Sequence, residues 1–168
     1  MTEQLHTELP QALQRALDLL AEPPADPDVS KGYLDLLKES IESPTKNTGA
    51  RAVRAEAGPR VGFLRADAQQ LPLRDETVDA VTSVAMLQLI PNPGVALAEM
   101  ARVLRPGGRI AVMVPTAGSA GPLWGILPDG GARFFGEDEL GDIFEDLGLV
   151  GVRTRSLANF QWVRAKRP

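Results

Sequence analysis

Val78-Asp79-Ala80-Val81-Thr82-Ser83-Val84 and, further on, Arg109-Ile110-Ala111-Val112-Met113-Val114 decide the fold class. Both stretches are short, apolar and partly β-branched, as expected of strands buried on both faces of a sheet. Between them, 94–104 has helical periodicity and is stopped by Arg105-Pro106-Gly107-Gly108. A strand, a helix and a strand in succession predict a parallel pair. Downstream, 137–147 reads as a helix with an acidic first turn, as the helix dipole prefers, closed by Gly148. The segments 149–155 and 160–166 read as strands with about four residues between them, which predicts an antiparallel hairpin. Upstream, 61–65 reads as a short strand and 67–77 as a loop containing Pro72. Residues 50–57 read as the end of a helix closed by Gly58-Pro59. The expected class is α/β, with a mostly parallel sheet ending in an antiparallel hairpin.

The first part of the chain has a different pattern. Leu9, Leu13, Leu17 and Leu20 fall on one helical stripe, and Pro23, Pro24 and Pro27 end it. A second helix is predicted over 30–42, with Tyr33, Leu34, Leu37 and Ile41 on its apolar side. Ser43-Pro44-Thr45-Lys46-Asn47-Thr48-Gly49 is polar and rich in breakers, so it reads as a linker. The expected organisation is a helical segment and linker over 1–49, followed by an α/β part over 50–168.

Composition removes several functional classes. The 168 residues include 43% hydrophobic and 24% charged residues, an ordinary globular balance. The net charge of −4 supplies no global field for nucleic acid or an anionic membrane. With no cysteine, there is no disulfide, thiol nucleophile or thiolate metal site. The single histidine, His6, removes histidine-based metal sites and Ser-His-Asp triads. The N-terminus has no secretory pattern, and the longest apolar run, 78–90, is too short and polar to span a bilayer. A cytoplasmic location is expected, with no metal, nucleic-acid or membrane partner.

Several phrases, taken in order, resemble the C-terminal half of class I S-adenosylmethionine-dependent methyltransferases. They are Phe63-Leu64-Arg65-Ala66-Asp67-Ala68-Gln69-Gln70-Leu71-Pro72-Leu73, Val78-Asp79-Ala80-Val81, and Leu97-Ala98-Glu99-Met100-Ala101-Arg102-Val103-Leu104-Arg105-Pro106-Gly107-Gly108. Arg133-Phe134-Phe135 and Leu147-Gly148-Leu149-Val150 continue the series, and Gly32-Tyr33-Leu34-Asp35-Leu36-Leu37 is similar to the N-terminal region of some members. The resemblance implies a Rossmann-like fold, S-adenosylmethionine as cofactor and methyl transfer to an acceptor it does not identify. It also implies roles for residues. Asp67 and Ala68 match positions that meet the adenine ring, Ser83 and Val84 positions along the cofactor's methionine side, and Gln88 a position bordering the substrate.

Two parts of the family pattern are expected to be missing, the strand with its glycine loop and the second strand whose terminal acid holds the ribose. Before Asp67 the glycines are Gly32, Gly49, Gly58 and Gly62, and no pair has the Gly-x-Gly spacing that lets backbone approach the cofactor. The fold is therefore expected to be truncated, with a seam near Thr48-Gly49-Ala50 and cofactor binding weak or absent. The alternatives are a non-catalytic interaction module and an inactive truncated product. The resemblance implies a family order 3-2-1-4-5-7-6 with strands 2 and 1 missing here, so strand 61–65 is expected either to pair directly with 78–84, giving a five-stranded order 3-4-5-7-6, or to leave 78–84 as an edge through which two copies dimerise.

Each candidate also has a structural reading. Asp67 can cap the turn at Gln69-Gln70. Met86, Leu87 and Leu89 read as core beside Gln88. Trp124, in a glycine-rich loop over 115–136, can cover substrate or anchor the loop. Pro106-Gly107-Gly108 reads as a structural turn, and the acids from Glu137 to Asp146 as a solvated helix face. No residue is assigned as catalytic.

Overall fold

The computed structural model describes residues 11–29, 34–36, 61–116 and 133–168. The chain divides into two compact units, Met1–Asp67 and Ala68–Pro168. The linker 43–49, the helix end over 50–57 and Trp124 with most of its loop lie outside the described residues.

In the first unit, α1 spans Gln11–Leu19, and Ala12 and Leu13 are buried along its leucine stripe. Gly62 lets the chain pass close to this helix. A Cβ there would sit 3.1 Å from the Ala12 carbonyl oxygen. The expected helix over 30–42 is corrected by β1, Leu34–Asp35, which pairs in parallel with β2, Leu64–Arg65. Leu34 N–H donates to the Phe63 carbonyl and Leu36 N–H to the Arg65 carbonyl, both at 2.9 Å. These long-range bonds outweigh a helical propensity that is only a weak prior. They also correct the expected order 3-4-5-7-6. The segment 61–65 takes Leu34–Asp35 as its partner, not Val78–Val84.

The second unit is a four-stranded sheet. Strand β3, Val78–Val84, leads through a 3-10 turn, Leu87–Leu89, into α2, Pro93–Val103. Then come β4, Leu104–Pro115, α3, Glu139–Asp146, β5, Val150–Leu157, and β6, Phe160–Lys166. The order is β3-β4-β6-β5. β3 and β4 are parallel, and β6 runs antiparallel to both β4 and β5, so β5 points the same way as β3 and β4. This is the α/β architecture with a terminal hairpin that the alternating pattern predicts. The hairpin turn is tighter than expected, with Ala158 at φ 51° in a two-residue connection.

β4 starts at Leu104, directly where α2 ends, earlier than its apolar run suggests. The Pro-Gly-Gly segment is thus carried inside a strand, across a register shift between Val78 and Ala80. Gly107 has φ +78°, which strains any side chain, and a Cβ on Gly108 would lie 2.8 Å from the Arg105 carbonyl oxygen, so that backbone would have to shift. The antiparallel end is held by paired bonds, Gly107 N–H to Arg167 O and Arg167 N–H to Gly108 O, both at 2.9 Å.

One sheet face carries the core. Ile110, Val112 and Val114 alternate inward along β4, with Val163 and Ala165 beside them, beneath Ala96, Leu97 and Met100 of α2 and Leu140 and Phe144 of α3. Alternation then sends the intervening residues to the opposite face.

Candidate functional site

In an open parallel α/β sheet, ligands bind outside the carboxyl ends of the strands. Here that place is the end of β3 beside β4. Ser83 lies in register with Val112, faces the core side and is 4% exposed. Its Oγ has no hydrogen-bond partner. Val84, the next residue, turns outward and is 67% exposed. Ala85 then takes φ 50°, a left-handed conformation that costs a non-glycine residue roughly 1–2 kcal/mol. Its N–H donates to the Met113 carbonyl at 3.0 Å, which ties the turn to β4.

Gln88 closes this turn. Its Nε2 donates to the Ala85 carbonyl at 2.8 Å, while its buried Oε1 has no partner. The Gln88 carbonyl accepts from Arg133 N–H at 2.9 Å. Arg133 also pairs with Glu139 and sits 5.3 Å over the Phe135 ring. Glu139 in turn accepts from Gly136 N–H at 3.0 Å. The end of β3 and the start of α3 are thereby joined through one arginine. The structure brings Ser83, Val84 and Gln88 together on this turn, with two buried oxygens lacking partners.

The other candidates lie elsewhere. Asp67 is exposed at the end of the first unit. Ala68 is partly buried against the core of the second. Trp124 falls outside the described residues.

A polar cluster that sequence reading missed fixes the loop after Ala68. Arg102, on α2, donates Nη2 to the Leu71 carbonyl at 2.9 Å and Nη1 to the Leu73 carbonyl at 2.8 Å. It also grips Glu99 twice, at 2.7 and 2.8 Å, and pairs with Asp75. Glu99 accepts from Leu71 N–H at 2.8 Å, and Asn92 N–H donates to Gln69 Oε1 at 3.1 Å. The Arg102 guanidinium holds the Glu99 carboxyl below the usual carboxylate range, against its partial burial. Arg102 is held still more firmly protonated by Glu99 and Asp75. The Glu99-x-x-Arg102 spacing is the signal that points to this pair. Among the described residues no cluster of acids and histidine could hold a metal ion, and no helix is long and apolar enough to cross a membrane.

The profile of the methyltransferase domain family matches residues 28–112, just over half of the chain. The chain belongs to that family. The match starts upstream of β1 and runs across 48–50, so it includes more of the N-terminal part than the phrases quoted above. The chain is similar to 27-O-demethylrifamycin SV methyltransferase of Amycolatopsis mediterranei, at 38% identity over 42% of this chain and 26% of the relative. It is also similar to a demethylmenaquinone methyltransferase of Renibacterium salmoninarum, at 35% identity over 59% of this chain and 40% of that one. It therefore spans well under half the length of these relatives.

Among solved structures, a SAM-dependent methyltransferase from Thermotoga maritima aligns with TM-score 0.58 and 24% identity over 70% of each chain. The complex of a Haloferax volcanii methyltransferase with the Trm112 methyltransferase activator aligns with TM-score 0.62 and 20% identity, over 70% of this chain and 66% of that one. These likenesses establish a Rossmann-like methyltransferase fold.

Proposed function

We propose that this chain is an S-adenosylmethionine-dependent methyltransferase domain that holds one side of the cofactor site and grips the cofactor weakly on its own. The observation that supports this most is the turn at the carboxyl end of β3, where Ser83 Oγ and Gln88 Oε1 are buried without partners. Buried polar atoms are normally satisfied, and exceptions call for a functional account. Asp67 would accept the adenine amine proton, the Ala68 amide would donate to the ring, and Ser83 and Val84 would border the methionine part. Gln88 and Trp124 would shape the side where an acceptor enters.

The fit is partial. No Gly-x-Gly loop occurs ahead of Asp67, and the Asp35 carboxylate at the end of β1 already accepts from Arg65 Nη1 at 2.9 Å. The residues present would hold only part of the cofactor. When bound, it supplies a sulfonium methyl group, and alignment of an acceptor nucleophile can provide much of the catalysis. The acceptor is proposed to be a small molecule, and the location cytoplasmic. A second reading, an interaction module, is favoured by β3. Among the described residues its only sheet partner is β4, and an apolar edge strand invites pairing with a second copy.

Amide chemical shifts test the site. Saturation with millimolar S-adenosylhomocysteine should move the signals of Ala68 and of residues 83–85. Unmoved signals there, or shifts confined to other strands, would overturn the assignment.

A further inference from the structure

The sheet face opposite the core has a composition that the cofactor site does not use. Register puts Arg109 beside Lys166, then Ala111 beside Arg164 and Arg153, then Met113 beside Trp162 and Arg155, then Phe160 beside Leu157. Thr82 and Ala80 of β3 complete the first rows. All five cations are exposed, and among the described residues none of them forms an ion pair. Among the described strand residues of this face there is no carboxylate, although the chain has 22 acids against 18 bases.

Like charges directly opposite in a sheet are destabilising. Here two such pairs, Arg109 with Lys166 and Arg153 with Arg164, stand side by side. Ala80, Thr82, Ala111 and Gly151 keep the floor between them low, leaving a shallow hollow of about 590 Å³. Beyond it on β6, Phe160 and Trp162 are each 39% exposed, with ring centroids 6.1 Å apart. Trp162 has Arg155 across the strand and Arg164 two residues along.

We propose that this open face binds single-stranded nucleic acid, phosphates against the arginines and bases on Trp162 and Phe160. A cationic surface beside aromatic rings is what a single strand requires, because each base offers a face to stack and each phosphate a charge. Residues two apart on β6 repeat every ~6.8 Å, so Lys166, Arg164, Trp162 and Phe160 form a track rather than a point. A free phosphate would use the cations and ignore the rings. The acidic helix α3 of a second copy would do the same. A duplex would hide its base faces. The net charge of −4 does not oppose binding, because the field near the face is set by these five side chains at distances within a Debye length of ~10 Å.

The test is fluorescence anisotropy of the full chain with a labelled 12-nucleotide single strand of mixed sequence at 50 and 200 mM KCl. Three or four phosphate contacts predict a loss of affinity of about 20–50-fold between the two salts. Trp162→Ala should weaken binding at least ~5-fold at constant salt, with Trp162→Phe largely restoring it. Arg153→Glu with Arg164→Glu should abolish it, and circular dichroism should show the fold intact at these exposed positions. Three results would overturn the proposal. One is no binding at 50 mM KCl. Another is equal affinity for a 12-base-pair duplex or polyphosphate with Trp162→Ala silent. The last is self-association without oligonucleotide that Arg164→Glu removes.

Discussion

Arg102→Met should destabilise the second unit. Arg102 is 31% exposed, joins α2 to the loop 71–75 through two carbonyls and Asp75, and grips Glu99 on its own helix. Bonds from a charged donor to the Leu71 and Leu73 carbonyls contribute roughly 1.5–3 kcal/mol each before discounting for water, which reaches this partly exposed group. The pair with Asp75, itself 71% exposed, adds little. Glu99, 20% exposed, would keep only the Leu71 amide. The net loss is about 2–4 kcal/mol, a fall in Tm of about 5–12 °C for a chain of this size. Arg102→Lys should fall between, because one ammonium cannot serve all these acceptors.

The pH dependence has a defined sign. Arg102 lowers the folded-state pKa of Glu99, so the contribution of this carboxylate is present above its unfolded pKa of about 4.3. It is lost as pH falls through the lower folded value. The Tm gap between wild type and Arg102→Met should therefore shrink in acid. Thermal melts at pH 7 and across pH 3–5 measure both effects. An unchanged Tm at pH 7, or a gap that stays constant into acid, would refute the reasoning.

Other substitutions probe the local geometry. Gly108→Ala forces a Cβ to within 2.8 Å of the Arg105 carbonyl oxygen and should cost about 1–3 kcal/mol in urea denaturation. Ala158→Gly relieves a left-handed alanine at φ 51° in the hairpin turn and should raise stability by roughly 0.5 kcal/mol after the entropy cost of glycine. Arg167→Met removes donors to the Ala101, Arg102 and Leu104 carbonyls at 3.1, 2.8 and 2.6 Å, and thermal melts should show α2 fraying from its C-terminal end.

The second unit was legible because its signals are local and repeated. Val78–Val84 is a mostly apolar run of strand length, Phe160–Lys166 alternates buried with exposed positions, and α2 and α3 are followed by stop signals at Pro106-Gly107-Gly108 and Gly148. The first unit was not. Leu34 and Asp35 sit in a helix-compatible stretch, and only their bonds to residues 63–65 make them a strand. A contact across about 30 positions leaves no periodic trace. Ser83 and Gln88 were reached through family phrases, and their lack of partners is visible only once β3 and its turn are built. The Arg102 cluster escaped because its acceptors are backbone carbonyls, which no residue type announces. The basic face escaped for a similar reason. Arg109, Arg153 and Arg164 are scattered in sequence, and register alone collects them.

Calorimetric titration of the chain with S-adenosylmethionine tests the central claim, that half a cofactor site is present without its glycine loop. The account predicts a dissociation constant weaker than about 100 μM, a binding free energy no better than about −5.5 kcal/mol, and a further severalfold loss in Asp67→Ala. A low-micromolar constant for the monomer, unchanged in Asp67→Ala, would contradict it.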